Sequence, residues 1–215
     1  MTLIDILDSI GTVAFAVSGV LVAVKCKLDL FGVYVLAIIT ACGGGILRDI
    51  ILGEKMPVFF TQPRYIIIIT VTAIITSLAY SYFNGFFQKI FTLIQFFDAA
   101  GLGVFTVLAA YKAINIGVPF IGVLFIAVVT GVGGGILRDT FVNEVPLVFK
   151  SEIYALASLL GAITFYTSYG FLNTALDIYL SIAIIFIIRV LAMYYKVNLP
   201  IVTIVNKGNN FKMKG

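Results

Sequence analysis

The segment Gly43-Gly44-Gly45-Ile46-Leu47-Arg48-Asp49 occurs a second time, unchanged, as Gly133-Gly134-Gly135-Ile136-Leu137-Arg138-Asp139. Both copies lie inside long apolar stretches. Three consecutive glycines weaken a helix there, and an Arg-Asp pair must be covered by protein or water. A chain that repeats such a segment reads as two copies of one membrane unit.

Composition supports the setting. Of 215 residues, 61% are hydrophobic and 11% are charged, against about 25% charged in an average soluble domain. The mean hydropathy is +1.14. Too little polar surface exists to coat a water-soluble globule, so the chain is expected to be an integral membrane protein. The net charge of +4 falls mostly between apolar runs. It reports topology rather than nucleic-acid binding, and no basic and aromatic residues interleave as they do in nucleic-acid readers. Asp5 and Asp8 stand where a secretory signal would be positive, so the first apolar run is expected to remain as a membrane helix.

A helix needs about 20 apolar residues to cross the hydrocarbon core. Seven stretches qualify: roughly 4–24, 30–52, 63–83, 91–113, 118–141, 152–170 and 175–196. Residues 1–196 form a single transmembrane domain, and 197–215 form a polar, cytoplasmic tail. The repeat runs well beyond the heptapeptide. At an offset of 90, Asp8 meets Asp98, Gly11 meets Gly101, Phe15 meets Phe105, Thr40 meets Thr130 and Glu54 meets Glu144. One residue is then lost, and Pro57 meets Pro146, Tyr65 meets Tyr154 and Ala73 meets Ala162. The expected fold class is therefore an all-α integral membrane protein. It has seven helices, as two three-helix repeats (about 4–83 and 91–170) plus a seventh. An odd number of helices per repeat inverts the second copy, the arrangement in which a path lies at the repeat interface. Lys25, Lys27, Lys89, Lys150, Lys196, Lys207, Lys212 and Lys214 fall on one side; Lys55, Arg64 and Lys112 fall on the other. The positive-inside rule then puts the C-terminus in the cytoplasm and the N-terminus outside.

The glycine triplets predict a kink or unwound turn lining a path; close packing, as in the G-x-x-x-G pair Gly131 and Gly135, is the competing reading. Arg48 and Arg138 need partners. Neighbours in a helix diverge, so Asp49 and Asp139 are not expected to serve. By depth, Asp8 is expected to pair with Arg48 or its surroundings, and Asp98 with Arg138. Each repeat thus holds two Asp and one Arg, a net negative lining that favours cations when all are ionised. Ser18, Thr40, Thr106 and Thr130 could offer hydroxyl ligands to a cation, although such residues commonly bond back to their own helix. Lys112 either snorkels or acts as a gate charge. Arg189 either approaches the interface or pairs within the bundle.

The chain contains no His, and Cys26 and Cys42 are too few and too far apart for a zinc site. A TVGYG-type filter, a P-loop and the common hydrolase motifs are all absent, so nothing points to an enzyme.

These residues resemble the trimeric intracellular cation channel (TRIC) family in its prokaryotic branch. The resemblance rests on the doubled G-G-G-x-x-R-D signature, residues 8–18 (DSIGTVAFAVS), residues 98–112 (DAAGLGVFTVLAAYK), Pro63-Arg64-Tyr65 and the RVLA run from Arg189. It implies a homotrimer in a prokaryotic cell membrane, in contact with membrane lipids. Each protomer would carry its own pore, with its second and fifth membrane helices kinked at the triplets. It implies permeant monovalent cations, chiefly potassium or sodium, and no cofactor. The sequence departs from the family at Ala109, where a glycine is expected. Some bacterial relatives are regarded as glycine transporters. Inverted repeats also suit alternating access, so a secondary transporter of a small amino acid is the alternative, and a non-transporting scaffold the third.

Overall fold

The computed structural model describes residues 2–82, 90–150 and 153–195. The tail expected at 197–215 lies outside the described residues. The long helices are α1 (Leu3–Lys25), α2 (Leu30–Ile51), α4 (Arg64–Tyr82), α5 (Ile90–Asn115), α6 (Phe120–Phe141) and α9 (Thr174–Tyr195), and each has the length and apolarity to cross a membrane. A shorter apolar helix, α8 (Ile153–Ser168), has 16 residues. Two four-residue helices, α3 (Val58–Thr61) and α7 (Leu147–Lys150), were not expected. Among the described residues there is no strand.

Polarity is inverted relative to a soluble protein. Leu30, Phe31, Ile67, Ile75 and Ile121 are exposed, while Asp8, Asp49, Asp98, Arg138 and Arg189 are buried. This suits a lipid surround, where charges turn inward to find partners.

The helix ends come in matched pairs. The Leu28 amide donates to the Ala23 carbonyl at 3.0 Å, and Val118 to Ala113 at 3.0 Å. Between them Lys27 and Gly117 take positive φ, 57° and 79°. The end of α2 repeats the motif with Glu54 to Asp49 at 3.0 Å, and the end of α6 with Glu144 to Asp139 at 2.9 Å. Gly53 and Asn143 supply the left-handed residue there. These six-to-one bonds close each helix on its own carbonyls.

The core is formed by α1 against α5 and α2 against α6. Phe15 stacks on Phe105 with centroids 5.4 Å apart. Gly101 makes room for the Phe15 ring and Gly11 for Phe105. The glycine triplets do not unwind. Both α2 and α6 are helical straight through them, which corrects the expectation of an unwound turn. The reason is contact. A Cβ on Gly44 would collide with the Thr130 carbonyl, and one on Gly134 with the Thr40 carbonyl. A Cβ on Gly133 would stand 3.3 Å from the Gly44 Cα. The triplets let two backbones cross without intervening side chains, and in lipid such packing holds helices together. Each helix keeps its internal hydrogen bonds, which no water at that depth would replace.

Candidate functional site

Each end of this core carries an Arg-Asp pair, and the two ends are built alike at first. At the end of α2, Arg48 Nε donates to Asp49 Oδ1 at 2.8 Å; at the end of α6, Arg138 Nε donates to Asp139 Oδ1 at 2.8 Å. Sequence neighbours therefore do pair, against expectation. The other carboxylate oxygen explains it. Asp49 Oδ2 accepts from the Val58 amide and Asp139 Oδ2 from the Leu147 amide, each at 2.9 Å. The carboxylate is fixed toward the first amide of α3 or α7, and the long arginine stem folds back to reach it. Pro57 and Pro146 stand immediately before those short helices.

The α6 end is closed. Arg138, fully buried, donates from Nη1 to Asp98 Oδ1 at 2.6 Å and to Ser18 Oγ at 2.6 Å. The Tyr154 hydroxyl donates a short hydrogen bond to Asp98 Oδ2. The Arg189 guanidinium lies 4.5 Å from the centre of the Tyr154 ring, so Arg189 belongs to the bundle interior. The expected Asp98–Arg138 pair is present, and Tyr154, Ser18 and Arg189 complete it. Tyr154 was visible as the repeat mate of Tyr65, but nothing in its local sequence marked it as a partner of Asp98.

The α2 end is open. Asp49 Oδ1 also accepts from Lys112 Nζ at 2.9 Å, and Lys112 pairs with Glu54 at 2.9 Å. Lys112 thus bridges α5 to the end of α2. Lys25 and Glu144 form the corresponding pair at the other end, at 3.1 Å. Asp8 does not form an ion pair with Arg48. Its ion-pair partner is Arg64, with Nη2 at 3.7 Å from Asp8 Oδ2. Arg64 is held off by Asp5, to whose Oδ1 its Nη1 donates at 2.7 Å. Asp8 and Arg48 share surroundings rather than a bond: both line a cavity of about 430 Å³ with Arg64, Tyr65, Tyr111, Lys112 and Asn115. A much smaller pocket shares Asp8, Arg48 and Tyr65 with it and is lined also by Cys42, Gly45 and Phe105.

The hydroxyl candidates are placed differently from one another. Thr40 donates to the Leu36 carbonyl and Thr130 to the Ile126 carbonyl, both at 2.6 Å, so each is bonded back to its own helix. Thr106 and Ser158 share a hydrogen bond of 2.8 Å. Ser18 accepts from Arg138, as described. Ala109 is fully buried in the α5 core. Among the described residues no group of three His, Cys, Asp or Glu could hold a metal ion.

A family model described as glycine transporter matches residues 5–81 and 95–169, the two stretches related by the offset of 90. A UPF0126 membrane protein of Deinococcus radiodurans is 41% identical over 73% of this chain and 72% of its own length. The UPF0126 inner membrane protein YadS of Escherichia coli is 35% identical over 90% of this chain and 93% of its own. Among solved structures, a prokaryotic TRIC channel in 0.5 M KCl superposes with a TM-score of 0.84 at 35% identity, covering 91% of this chain and 98% of that one. A TRIC orthologue from Rhodobacter sphaeroides superposes with a TM-score of 0.84 at 30% identity, covering 92% and 100%. These relatives are membrane proteins and channels rather than enzymes. The chain belongs to the UPF0126 family of bacterial membrane proteins, the bacterial branch of the TRIC channels, whose family model bears the description glycine transporter.

Proposed function

We propose that this chain is a monovalent-cation channel, chiefly for potassium and also for sodium, assembled as a homotrimer with one path in each protomer. It sits in a prokaryotic cell membrane among lipids and needs no cofactor beyond the ions it passes. Its seven apolar helices form two inverted three-helix repeats and a seventh helix, with the N-terminus outside and the C-terminus in the cytoplasm. The matched contacts at Gly44 and Gly134, and at Phe15 and Phe105, support the inverted repeat. The path runs along α2 and α6. Gly43, Gly44 and Gly45 form one hinge and Gly133, Gly134 and Gly135 the other, the segments where glycine weakens each helix most. Asp8, Arg48, Asp49 and Lys112 form the outer mouth; Asp98, Arg138 and Asp139 close the inner one, with Ser18, Thr40, Thr106 and Thr130 along the way. One observation carries this reading. Buried charged groups occupy both ends of a single four-helix core, in a fold shared with proteins named as TRIC cation channels.

Planar-bilayer recording of the purified protein tests it. Unitary currents that reverse at the potassium equilibrium potential are expected. Saturable amino-acid counterflow with no unitary current overturns it.

A second reading, a secondary transporter of a small amino acid such as glycine, is favoured by the inequality of the two mouths. One opens into a cavity while its repeat mate is sealed by Arg138, Asp98 and Tyr154. Alternating access requires such a difference. Uptake of labelled glycine into proteoliposomes, driven by an ion gradient, distinguishes it from a channel.

A further inference from the structure

A groove of about 610 Å³ runs between α2 and α4 on the apolar flank of the bundle. Its walls include Leu30, Phe31 and Tyr34 of α2 and Ala73, Ser77 and Leu78 of α4. The second repeat shows the same place filled by the chain itself. There Tyr166 stands for Ser77 and Phe120 for Leu30. The Tyr166 ring packs on Phe120 with centroids 4.8 Å apart. Phe120 is 40% exposed, against 83% for Leu30. Serine in place of tyrosine removes a ring, and α2 and α4 touch less than α6 and α8 do.

Three features of the groove select its occupant. The first is polarity. The Tyr34 and Thr70 hydroxyls bond to each other at 3.0 Å, and the other walls are apolar apart from Ser77. Such an interior suits an apolar group. The second is length. Along α4 the groove runs eight residues, from Thr70 near the middle of the helix to Leu78 near its end, which is about 12 Å of helix. That is close to one leaflet, half of a hydrocarbon core about 30 Å thick. A transmembrane helix of another protein would call for a stripe across both leaflets, whereas an acyl chain needs only one. The third is charge. Beyond Leu30 the chain runs back to Lys27, exposed and at positive φ. Lys27 forms no ion pair among the described residues; its neighbour Lys25 is taken by Glu144, and the Asp29 carboxylate accepts from the Gly32 amide. Tyr82, 82% exposed, ends α4 at this end of the groove, as tyrosines do at the level of lipid headgroups.

We propose that the groove is a phospholipid site: one acyl chain of an anionic phospholipid lies between α2 and α4, and its phosphate meets Lys27. The lipid takes the place of the ring that Ser77 lacks and steadies α4 against α2. The site is apart from both Arg-Asp ends, so it holds whatever the protein transports.

Native mass spectrometry of the full-length protein in mild detergent tests it, with dioleoyl phosphatidylglycerol and dioleoyl phosphatidylcholine as probes. One phosphatidylglycerol per protomer should be retained, with phosphatidylcholine about fivefold weaker, the effect of one lysine at a membrane surface. Lys27→Gln should remove that preference. Ser77→Tyr, which supplies the ring that the second repeat already carries, should weaken phosphatidylglycerol at least about tenfold by displacing the buried chain. Ile67→Phe, on α4 outside the groove, should not. Equal retention of the two lipids by the wild type, or of phosphatidylglycerol by the wild type and Ser77→Tyr, overturns the proposal. A wild type that retains neither lipid also overturns it. If Ser77→Tyr then changes the number of protomers, the groove is a seam between copies instead. Lys27→Gln, at an exposed position, keeps the test decisive where Ser77→Tyr does not fold: an undiminished preference for phosphatidylglycerol overturns the site.

Discussion

At the scale of the residue, the same arginine in two copies has two different jobs. Arg138 is the hub of a sealed network, so Arg138→Gln strands Asp98 in the interior. Breaking a buried pair by removing one partner destabilises by about 3–5 kcal/mol. Arg48→Gln should have a much smaller effect, because Asp49 keeps Lys112 and the Val58 amide. Thermal melts followed by circular dichroism should show a clear drop for the first variant and a small one for the second; equal drops would contradict the assigned roles. The double variant Asp98→Asn with Arg138→Gln should regain part of the loss. The Asp98–Arg138 pair was legible in the sequence, because depth along two helices was enough to match them. The Asp8 environment was not. It depends on Arg64 and Asp5, which belong to helix ends whose approach no periodicity encodes, and on Leu108 standing where the other copy has Ser18. The Arg48–Asp49 contact was hidden for another reason. Divergence of neighbours is a rule about Cβ directions, and a four-atom stem anchored by a distant amide escapes it.

At the scale of the element, the long helices follow from apolar length, and their observed ends fall within a few residues of the expected ones. The four-residue helices α3 and α7 are too short to leave a periodic signal. Glycine propensity alone overstated the weakness of the triplets. In a membrane the backbone bonds must stay made, and the missing side chains serve the crossing instead. Two substitutions separate these effects. Gly44→Ala and Gly134→Ala each force a methyl onto a carbonyl of the opposing helix and should destabilise by about 1–3 kcal/mol, as overpacking does. Gly45→Ala meets nothing nearer than Arg48 Nη2, at 3.8 Å, and should be neutral or mildly stabilising through helix propensity, by up to about 1 kcal/mol. Melting midpoints check both. If Gly45→Ala proves as damaging as Gly44→Ala, the triplets act by bending rather than by contact.

At the scale of the whole molecule, the exposed apolar surface of α4 and α9 demands lipid or further copies of the chain. For the proposed homotrimer, native mass spectrometry from mild detergent should give three times the 23.3 kDa protomer mass; a lone protomer under every lipid condition would count against it. Alkaline phosphatase fused after the last residue should be inactive if the C-terminus is cytoplasmic. The overall design was legible because the chain states it twice. The difference between its two mouths was not, because it arises at positions where the copies disagree, such as Ser18 against Leu108. The glycine crossing bears on why they agree at the heptapeptide. Gly44 packs on the Thr130 carbonyl and Gly134 on that of Thr40, while Leu137 fills the space beside Gly43 and Leu47 that beside Gly133. The glycines and leucines of each heptapeptide are thus shaped by the opposing helix. A change at Gly43, Gly44 or Leu47, or at Gly133, Gly134 or Leu137, has to fit a surface supplied by the other copy, so these positions are not free to drift alone.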